Sequence, residues 1–407
     1  MTTLIKALHS SIALAIFVFQ PTLASEVEVG GHAKAHVLAQ SYPADSVFND
    51  LVGATSADYQ GDLRLNLEAK RNNWTLDVGY QLIGLSSDLL RVPNDDRRLL
   101  NLTATIDESG STVLLHRLDR LWVGYTGERT VVRFGRQALS WGNSLFYAPM
   151  DLVNPFDPSA VDTEYKAGDD MLYLQYLRDT GDDVQAAHVI RRGLLSGDVD
   201  ADAATTAVKY HGFAGEKEFD VLIARHYGDT VFGLGFGRSV GGAQWGSDVV
   251  VTATDSDTVV QLSTNLSYSW VAAGRNMSGA VEYHFNGFGQ SSGRYGPGDL
   301  ASNPELLLRL NRGEIFTAGR HYIAGSVLIE MTPLWSVSPT LLGNLTDPSG
   351  LLQLVTNYSL SDNMTLLGSL NVPFGSNGSE FGGPASLAPG RYFSQDAGLF
   401  AQFAWYF

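Results

Sequence analysis

The sequence predicts an all-β fold, a transmembrane antiparallel up-and-down β-barrel of 18 strands. Three observations support this prediction. Apolar and polar residues alternate along most of the 407-residue chain, short turns separate the alternating segments, and the apolar phase carries aromatic residues near its ends. Only a strand places successive side chains on opposite faces, and a barrel in a bilayer turns its apolar face to lipid and its polar face to the lumen.

The composition excludes several other classes of protein. Charged residues make up 17% of the chain, below the roughly 25% of soluble domains. The longest apolar run, 12–19, is shorter than the roughly 20 residues that a membrane-spanning helix needs. The absence of cysteine excludes a disulfide scaffold and a cysteine-based zinc site. The net charge of −16 argues against a nucleic-acid partner, which requires a basic surface.

The first 24 residues have the pattern of an export signal. Lys6 supplies the positive charge, residues 7–19 form the apolar region, and Thr22 and Ala24 are small residues before a cleavage site. The alternative is an N-terminal core helix. We expect residues 1–24 to be a signal peptide and residues 25–407 to form the barrel. Export without cysteine favours a bacterial envelope protein.

The alternation is most regular in the segments 62–70, 74–82, 261–270 and 278–285. A soluble β-sandwich also alternates, but its strands usually have about five or six residues, whereas these segments have about ten. Aromatic residues belong at the two interfaces of a membrane barrel. The apolar faces here carry Trp74, Tyr80, Trp270, Tyr283, Trp335 and Trp405 near their ends.

The spacing of turns places each strand. We predict strands at 29–38, 60–70, 73–83, 116–126, 129–137, 165–178, 183–192, 205–213, 217–227, 229–240, 243–254, 259–273, 277–286, 319–331, 333–343, 350–360, 364–372 and 396–407. Connections after even strands are tight. Several connections after odd strands are long: 39–59, 84–115, 138–164, 287–318 and 373–395. Tight turns at one end and long loops at the other are typical of membrane barrels. If the strands within 229–254 merged, the barrel would have 16 strands. A short helix is expected at 305–312.

The last strand presents one apolar face that includes Phe403, Trp405 and Phe407. Here the sequence resembles Gram-negative outer-membrane proteins, whose last strand ends in phenylalanine and is read by the barrel-assembly machinery. The resemblance implies an outer-membrane location and contact with lipid and lipopolysaccharide. It also implies that these three residues form the assembly signal.

The third loop, about 138–164, is rich in proline, aromatic residues and asparagine. It resembles the inward-folded constriction loop of general porins, and its amino-acid sequence resembles that of poorly characterised porin-like families. Pro149, Pro155 and Pro158 would stiffen it. The resemblance implies that the loop folds into the lumen; the alternative is a loop that only plugs or braces the wall. The predicted pore and constriction residues are Arg120, Arg133, Gln137, Trp141, Asn143, Tyr147, Met150, Asp151, Asn154 and Phe156.

Charged residues in the polar phase are candidates for the lumen wall. They are Arg64, Glu68, Asp77, Lys209 and Glu282. Charges of mixed sign around a lumen orient solutes and set ion selectivity. The alternative is that these residues only keep a water-filled interior polar. Arg120 and Arg133 lie on adjacent predicted strands beside the third loop, and Asp151 is a candidate partner for either. The negative net charge predicts a modest preference for cations.

These features favour a passive channel for small hydrophilic or amphipathic solutes. One alternative is a dedicated export or import barrel for one polymer or lipid, with periplasmic partners; the architecture resembles that of alginate-export-type barrels. Another is an outer-membrane barrel enzyme, but nothing in the sequence brings Ser140 and His188 together. We expect no catalytic residues, metal site or cofactor. The solute and the oligomeric state stay open.

Overall fold

The computed structural model describes residues 26–89, 92–193 and 196–407, so the predicted signal peptide lies outside the described residues. The first strands are β1 Glu26–Ser41, β2 Thr55–Arg71, β3 Trp74–Ser86, β4 Thr103–Ser109, β5 Thr112–Thr126, β6 Thr130–Gln137, β7 Asp169–Leu177, β8 Asp183–Val189 and β9 Thr205–Ala214. The others are β10 Lys217–His226, β11 Asp229–Val240, β12 Ala243–Ala253, β13 Thr258–Ala272, β14 Arg275–Asn286, β15 His321–Thr332, β16 Trp335–Asn344, β17 Ser349–Ser361, β18 Met364–Phe374 and β19 Gly398–Tyr406. The helices are α1 Val47–Val52, α2 Pro297–Ala301 and α3 Pro304–Arg312.

The strands close into a single antiparallel ring. Each strand of the ring pairs with the next one along the chain, and β19 pairs back onto β1 from His32↔Tyr406 to Gln40↔Gly398. The ring has 18 strands, because β3 pairs directly with β5 and leaves β4 outside the order. The predicted count is confirmed and the alternative of 16 strands is wrong. β11 and β12 are separate strands, joined by a turn at Gly241 and Gly242, whose φ angles of 58° and 87° suit glycine.

The short strand β4 was missed by the sequence analysis, which placed it inside the long loop 84–115. β4 forms a hairpin with the first half of β5, from Ser109↔Thr112 to Thr103↔Arg117. Most of its side chains are exposed, so neither face repeats apolar residues at every second position. Period-two reasoning therefore had no signal to detect there.

The barrel is apolar outside and polar inside. On β2, Leu63, Leu65 and Leu67 are 37 to 42% exposed, whereas Arg64 between them is only 1% exposed. The same contrast recurs around the ring, so exposed leucine, phenylalanine and tyrosine form a continuous outer belt. A belt of this size is unfavourable in water and matches the hydrocarbon of a bilayer. No helix among the described residues is long and apolar enough to cross a membrane.

The connections follow the predicted parity. Tight turns such as 72–73 and 241–242 lie at one end, here called the turn end, and the long connections lie at the loop end. The seventh connection of the loop end, 287–320, carries the predicted helix as α3. Asn303 caps it by accepting a hydrogen bond from the Leu306 N–H, and Gly313 ends it with a φ of 69°.

The C-terminus completes the seam of the ring. Gly31 and Phe407 exchange two backbone hydrogen bonds of 2.9 and 3.0 Å. The side chains of Phe403, Trp405 and Phe407 are exposed on the outer face of the barrel. Their role as an assembly signal stays a prediction.

Candidate functional site

The third loop, which spans 138–168 between β6 and β7, lies against side chains of the polar inner face. Its first anchor is Asp248 on β12, which is fully buried. One carboxylate oxygen accepts hydrogen bonds from the backbone N–H groups of Asn143 and Ser144, at 2.7 and 3.0 Å, and from the Ser144 hydroxyl at 2.7 Å. Charge-assisted bonds of this kind are about twice as strong as neutral ones, so they hold the start of the loop on the wall.

The second anchor is Glu282 on β14, a residue predicted on the lumen wall. It is 1% exposed and accepts hydrogen bonds from three successive backbone N–H groups of the segment 145–147, at 2.6, 3.2 and 2.7 Å. Next to it, the Tyr147 ring stacks on His284 with centroids 4.9 Å apart. Two wall carboxylates thus bind five consecutive backbone amides of the loop.

Apolar packing adds to these polar anchors. The Met150 side chain is fully buried among Leu222, Val231 and Val250 of the wall. The Trp141 indole is 6% exposed and donates a hydrogen bond of 2.7 Å to Gln185. Burying a methionine side chain stabilises a fold by about 1.5 to 3 kcal/mol, so the packing of Met150 adds to the hydrogen bonds that hold the loop on the wall.

The charge predicted to face Arg120 or Arg133 has a different partner. Both carboxylate oxygens of Asp151 lie 2.6 Å from the Lys166 ammonium, so this pair joins the middle of the loop to its C-terminal end. The proposed partnership of Asp151 with either arginine is therefore wrong. Burial raises the pKa of Asp151 to about 6, although Lys166 opposes the rise. The Arg133 guanidinium lies over the Trp122 ring at 4.9 Å.

The far side of the loop reaches the opposite wall. Asp162 binds the Lys34 ammonium of β1 at 2.7 Å and accepts a hydrogen bond of 3.0 Å from Gln402 of β19. Glu164 also lies 2.7 Å from Lys34 and accepts a hydrogen bond from the Tyr406 hydroxyl. Burial disfavours the charged form of Asp162, but the hydrogen bonds from Lys34, the Glu164 backbone N–H and Gln402 together outweigh it and lower the pKa. The loop therefore crosses the whole lumen.

Two cavities remain beside this crossing, along β1, β2, β3 and β5. The loop-end cavity has a volume of about 790 Å³ and is also bounded by β17 to β19 and the ninth connection, 375–397. The turn-end cavity has a volume of about 480 Å³ and is lined by Glu68, Asp77 and Arg120. Tyr165 of the loop lines both cavities. The two cavities therefore lie on either side of Tyr165.

Arg64 and Asp119 lie at the boundary between the two cavities, beside Tyr165. Two hydrogen bonds of 2.8 Å join their guanidinium and carboxylate, and the Tyr165 ring lies 3.9 Å from the guanidinium. Arg120 donates to the Asp119 backbone carbonyl at 2.8 Å. A shift of register between Gly79 and Tyr80 marks a β-bulge in β5, so Asp119 and Arg120 both lie beside the lumen.

The predicted residues divide into two groups. Arg64, Glu68, Asp77 and Arg120 line the turn-end cavity. The others lie elsewhere. Gln137 and Lys209 are buried on the wall, and Trp141 and Met150 of the loop are buried against it. Asn143 and Tyr147 bind the anchors Asp248 and Glu282, Asn154 donates to the Ala167 carbonyl, and Phe156 is 38% exposed away from both cavities. Ser140 contacts Lys166 and His188 contacts Thr206, so the pair considered for an enzyme is not brought together.

The sequence analysis did not identify three residues that line these cavities, which are Lys34, Asp119 and Tyr165. Lys34 continues the polar phase of 30–36, so the alternation itself could have indicated it. Asp119 falls out of phase because the bulge in β5 interrupts the period of two. Tyr165 was assigned to a predicted strand at 165–178, whereas β7 begins at Asp169 and leaves Tyr165 on the loop.

Comparison with known proteins addresses the fold. No protein-family model matches the chain, and no curated protein matches it in sequence. The crystal structure of Acinetobacter baumannii OccAB4 matches with a TM-score of 0.56 and 8% identity over 95% of this chain and 100% of that chain. A BenF-like porin from Pseudomonas fluorescens Pf-5 gives 0.53 and 7%, over 95% and 99%. Pseudomonas aeruginosa OccK2 in complex with glucuronate gives 0.53 and 8%, over 94% and 98%. The chain has the fold of outer-membrane porins.

Proposed function

We propose that this protein is an outer-membrane channel for the passive diffusion of small hydrophilic solutes. The pair of cavities on either side of Tyr165, both lined mostly by polar and charged residues, is the observation that carries the proposal. They lie inside a closed barrel whose outer face is apolar, so a solute that enters one cavity avoids the hydrocarbon. A barrel of 18 strands is too wide for wall side chains alone to fill, and the third loop narrows it. The reaction class is transport, without a chemical step.

The pore in this proposal follows the cavities. Arg64, Asp119, Arg120 and Tyr165 form the constriction, and the third loop sets its width because both ends of the loop are anchored. Acidic residues outnumber basic ones along the two cavities. The acidic residues are Glu28, Asp62, Glu68, Asp77, Asp119, Asp162, Glu380 and Asp396, and the basic residues are Lys34, Arg64, Arg117 and Arg120. An excess of negative charge in a narrow passage favours cations.

Two partners complete the proposal. The exposed outer belt contacts lipid and lipopolysaccharide, and the apolar face of Phe403, Trp405 and Phe407 is read by the barrel-assembly machinery during insertion.

Ion conductance of the purified barrel in planar bilayers tests the proposal. We expect discrete open-channel currents and a reversal potential on the cation side in a salt gradient. Arg120→Glu should move the reversal potential further toward cations because Arg120 lines the turn-end cavity. Arg225→Glu is the matched control, since Arg225 is exposed, pairs with Asp202 and lines neither cavity, and it should change the potential little. A folded barrel that conducts no ions would refute the channel.

The width of the pore needs a second variant. Deleting residues 155–163 removes the middle of the crossing while the anchors at Asp248 and Glu282 stay in place. We expect a higher single-channel conductance from a barrel that still shifts in mobility on boiling, as a closed hydrogen-bonded barrel does. Unchanged conductance would mean that the third loop does not set the constriction.

A further inference from the structure

We infer that the loop-end cavity binds an uncharged saccharide on its way through the barrel. The inference rests on the proposed channel and names its solute class. Three features of the cavity support it: a group of side-chain amides, exposed aromatic faces, and an excess of carboxylates that disfavours anions.

The amides come from neighbouring strands. Gln353 of β17 is directly opposite Asn371 of β18, and both line the cavity. Gln402 of β19 and Gln60 of β2 are both opposite His36 of β1, which places these three residues in one row across three strands. Each amide offers a donor and an acceptor, which is what the hydroxyl groups of a sugar require.

Part of this hydrogen-bonding capacity is already used by the protein. Gln353 donates to the Ser159 carbonyl at 3.0 Å, and Gln402 donates to Asp162, so these two NH₂ groups hold the loop. The carbonyl oxygen of such an amide can still accept a hydrogen bond from a solute. Amide oxygens that can accept in this way favour a hydroxyl-rich solute.

Aromatic rings supply the second feature. Phe393 is 42% exposed and Tyr165 is 38% exposed, and both line the cavity together with Phe400. An exposed phenyl ring inside an aqueous lumen is unfavourable unless an apolar surface covers it. The C–H face of a pyranose ring is such a surface, while its hydroxyl edge reaches the amides.

The charges decide between a neutral and an acidic sugar. Asp62, Glu380 and Asp396 line the cavity, and Arg117 is the basic residue that its lining holds besides Lys34, so three acids face one further cation. The positive charge of Lys34 is taken up by Asp162 and Glu164. A carboxylate on the solute would be repelled by the remaining acids, whereas an uncharged sugar meets no such penalty. This differs from glucuronate, the acidic sugar found with OccK2.

Current block by sugars tests the inference in the full-length channel. We expect maltotriose to block the ionic current and glucuronate at equal concentration to block it much less. Gln60→Ala and Phe393→Ala should each raise the half-blocking concentration about three- to ten-fold, the effect of losing one hydrogen bond or one ring contact. The matched controls Gln244→Ala, at the turn end, and Phe316→Ala, outside this cavity, should leave it unchanged.

The outcomes separate this inference from the channel itself. Stronger block by glucuronate, or maltotriose block that both cavity variants leave unchanged in folded barrels, would overturn the saccharide site while the channel stands. If the barrel does not conduct, the channel fails, and calorimetric titration of maltotriose into the detergent-solubilised barrel decides the site alone. Heat release with an affinity that falls about three- to ten-fold in Gln60→Ala supports it, and no heat release in the wild type overturns it.

Discussion

Removal of the Glu282 carboxylate is the sharpest test of how the third loop is held. Glu282→Ala leaves three backbone N–H groups of 145–147 without their acceptor. Two of these bonds are short, at 2.6 and 2.7 Å, and the third is 3.2 Å. A hydrogen bond to a charged group contributes about 1.5 to 3 kcal/mol. Allowing for partial relaxation of the loop, we expect local opening to become easier by about 3 to 6 kcal/mol.

Hydrogen exchange measures this local opening directly. Because each 1.4 kcal/mol corresponds to about a factor of ten, the amides of 145–147 should exchange about 100- to 10,000-fold faster in the variant. Amides in the middle of β13 and β14 should keep their protection, since the ring of strands is intact. Mass spectrometry of a peptide spanning 141–150, with the barrel in lipid nanodiscs, gives the rate.

Two further variants complete the test. Glu282→Gln keeps one acceptor oxygen and should accelerate exchange by only about tenfold. Glu330→Ala removes an exposed carboxylate near the turn end that contacts Asn276 and not the loop, so it should have no effect on 145–147. Equal exchange in wild type and Glu282→Ala, with the barrel still folded, would refute the reasoning, because the loop would then be held by other contacts.

Three more outcomes are expected. Lys34→Met should speed exchange at 162–165 by about two- to five-fold and raise conductance, because it removes the ion pairs to Asp162 and Glu164; no change in either would contradict the anchoring of the loop at Lys34. Burial raises the pKa of Glu380 to about 7, so its charge is present above that pH and lost below it. Cation preference should therefore fall between pH 8 and pH 6 in the wild type, and Glu380→Gln should flatten this step; a step that persists in the variant belongs to another group. Phe407→Ser should lower the amount of folded barrel in the outer membrane, and normal amounts would remove the argument from the C-terminal residue.

The ring of strands could be predicted because its signal is local. In 62–70 the apolar and polar residues strictly alternate, and this segment became β2 with Leu63 outside and Arg64 inside. Each strand of the ring repeats this pattern, and in a closed barrel the polar face of every strand points into the same lumen. β4 was missed because most of its side chains are exposed, so its residues need not alternate between apolar and polar.

Parts of the third loop could also be predicted. Its prolines and aromatic residues indicated an ordered segment rather than a flexible one, and the structure shows it bound to the wall at Asp248 and Glu282. The partner of Asp151 was out of reach, because Lys166 was placed in a strand that begins three residues later. An error in one strand boundary thus changed the predicted charge pairs of the pore.

The amino-acid pattern by itself determined the membrane barrel, its strand count and which face of each strand is polar. These properties depend on neighbours within a strand, where side chains alternate by covalent geometry. Only the tertiary structure decided where the passage lies. The contact of Tyr165 with Arg64, and the pairing of Asp162 with Lys34, join residues about 100 or more positions apart in the chain. Such contacts depend on the path of one loop across the lumen, and the sequence carries no periodic signal for that path.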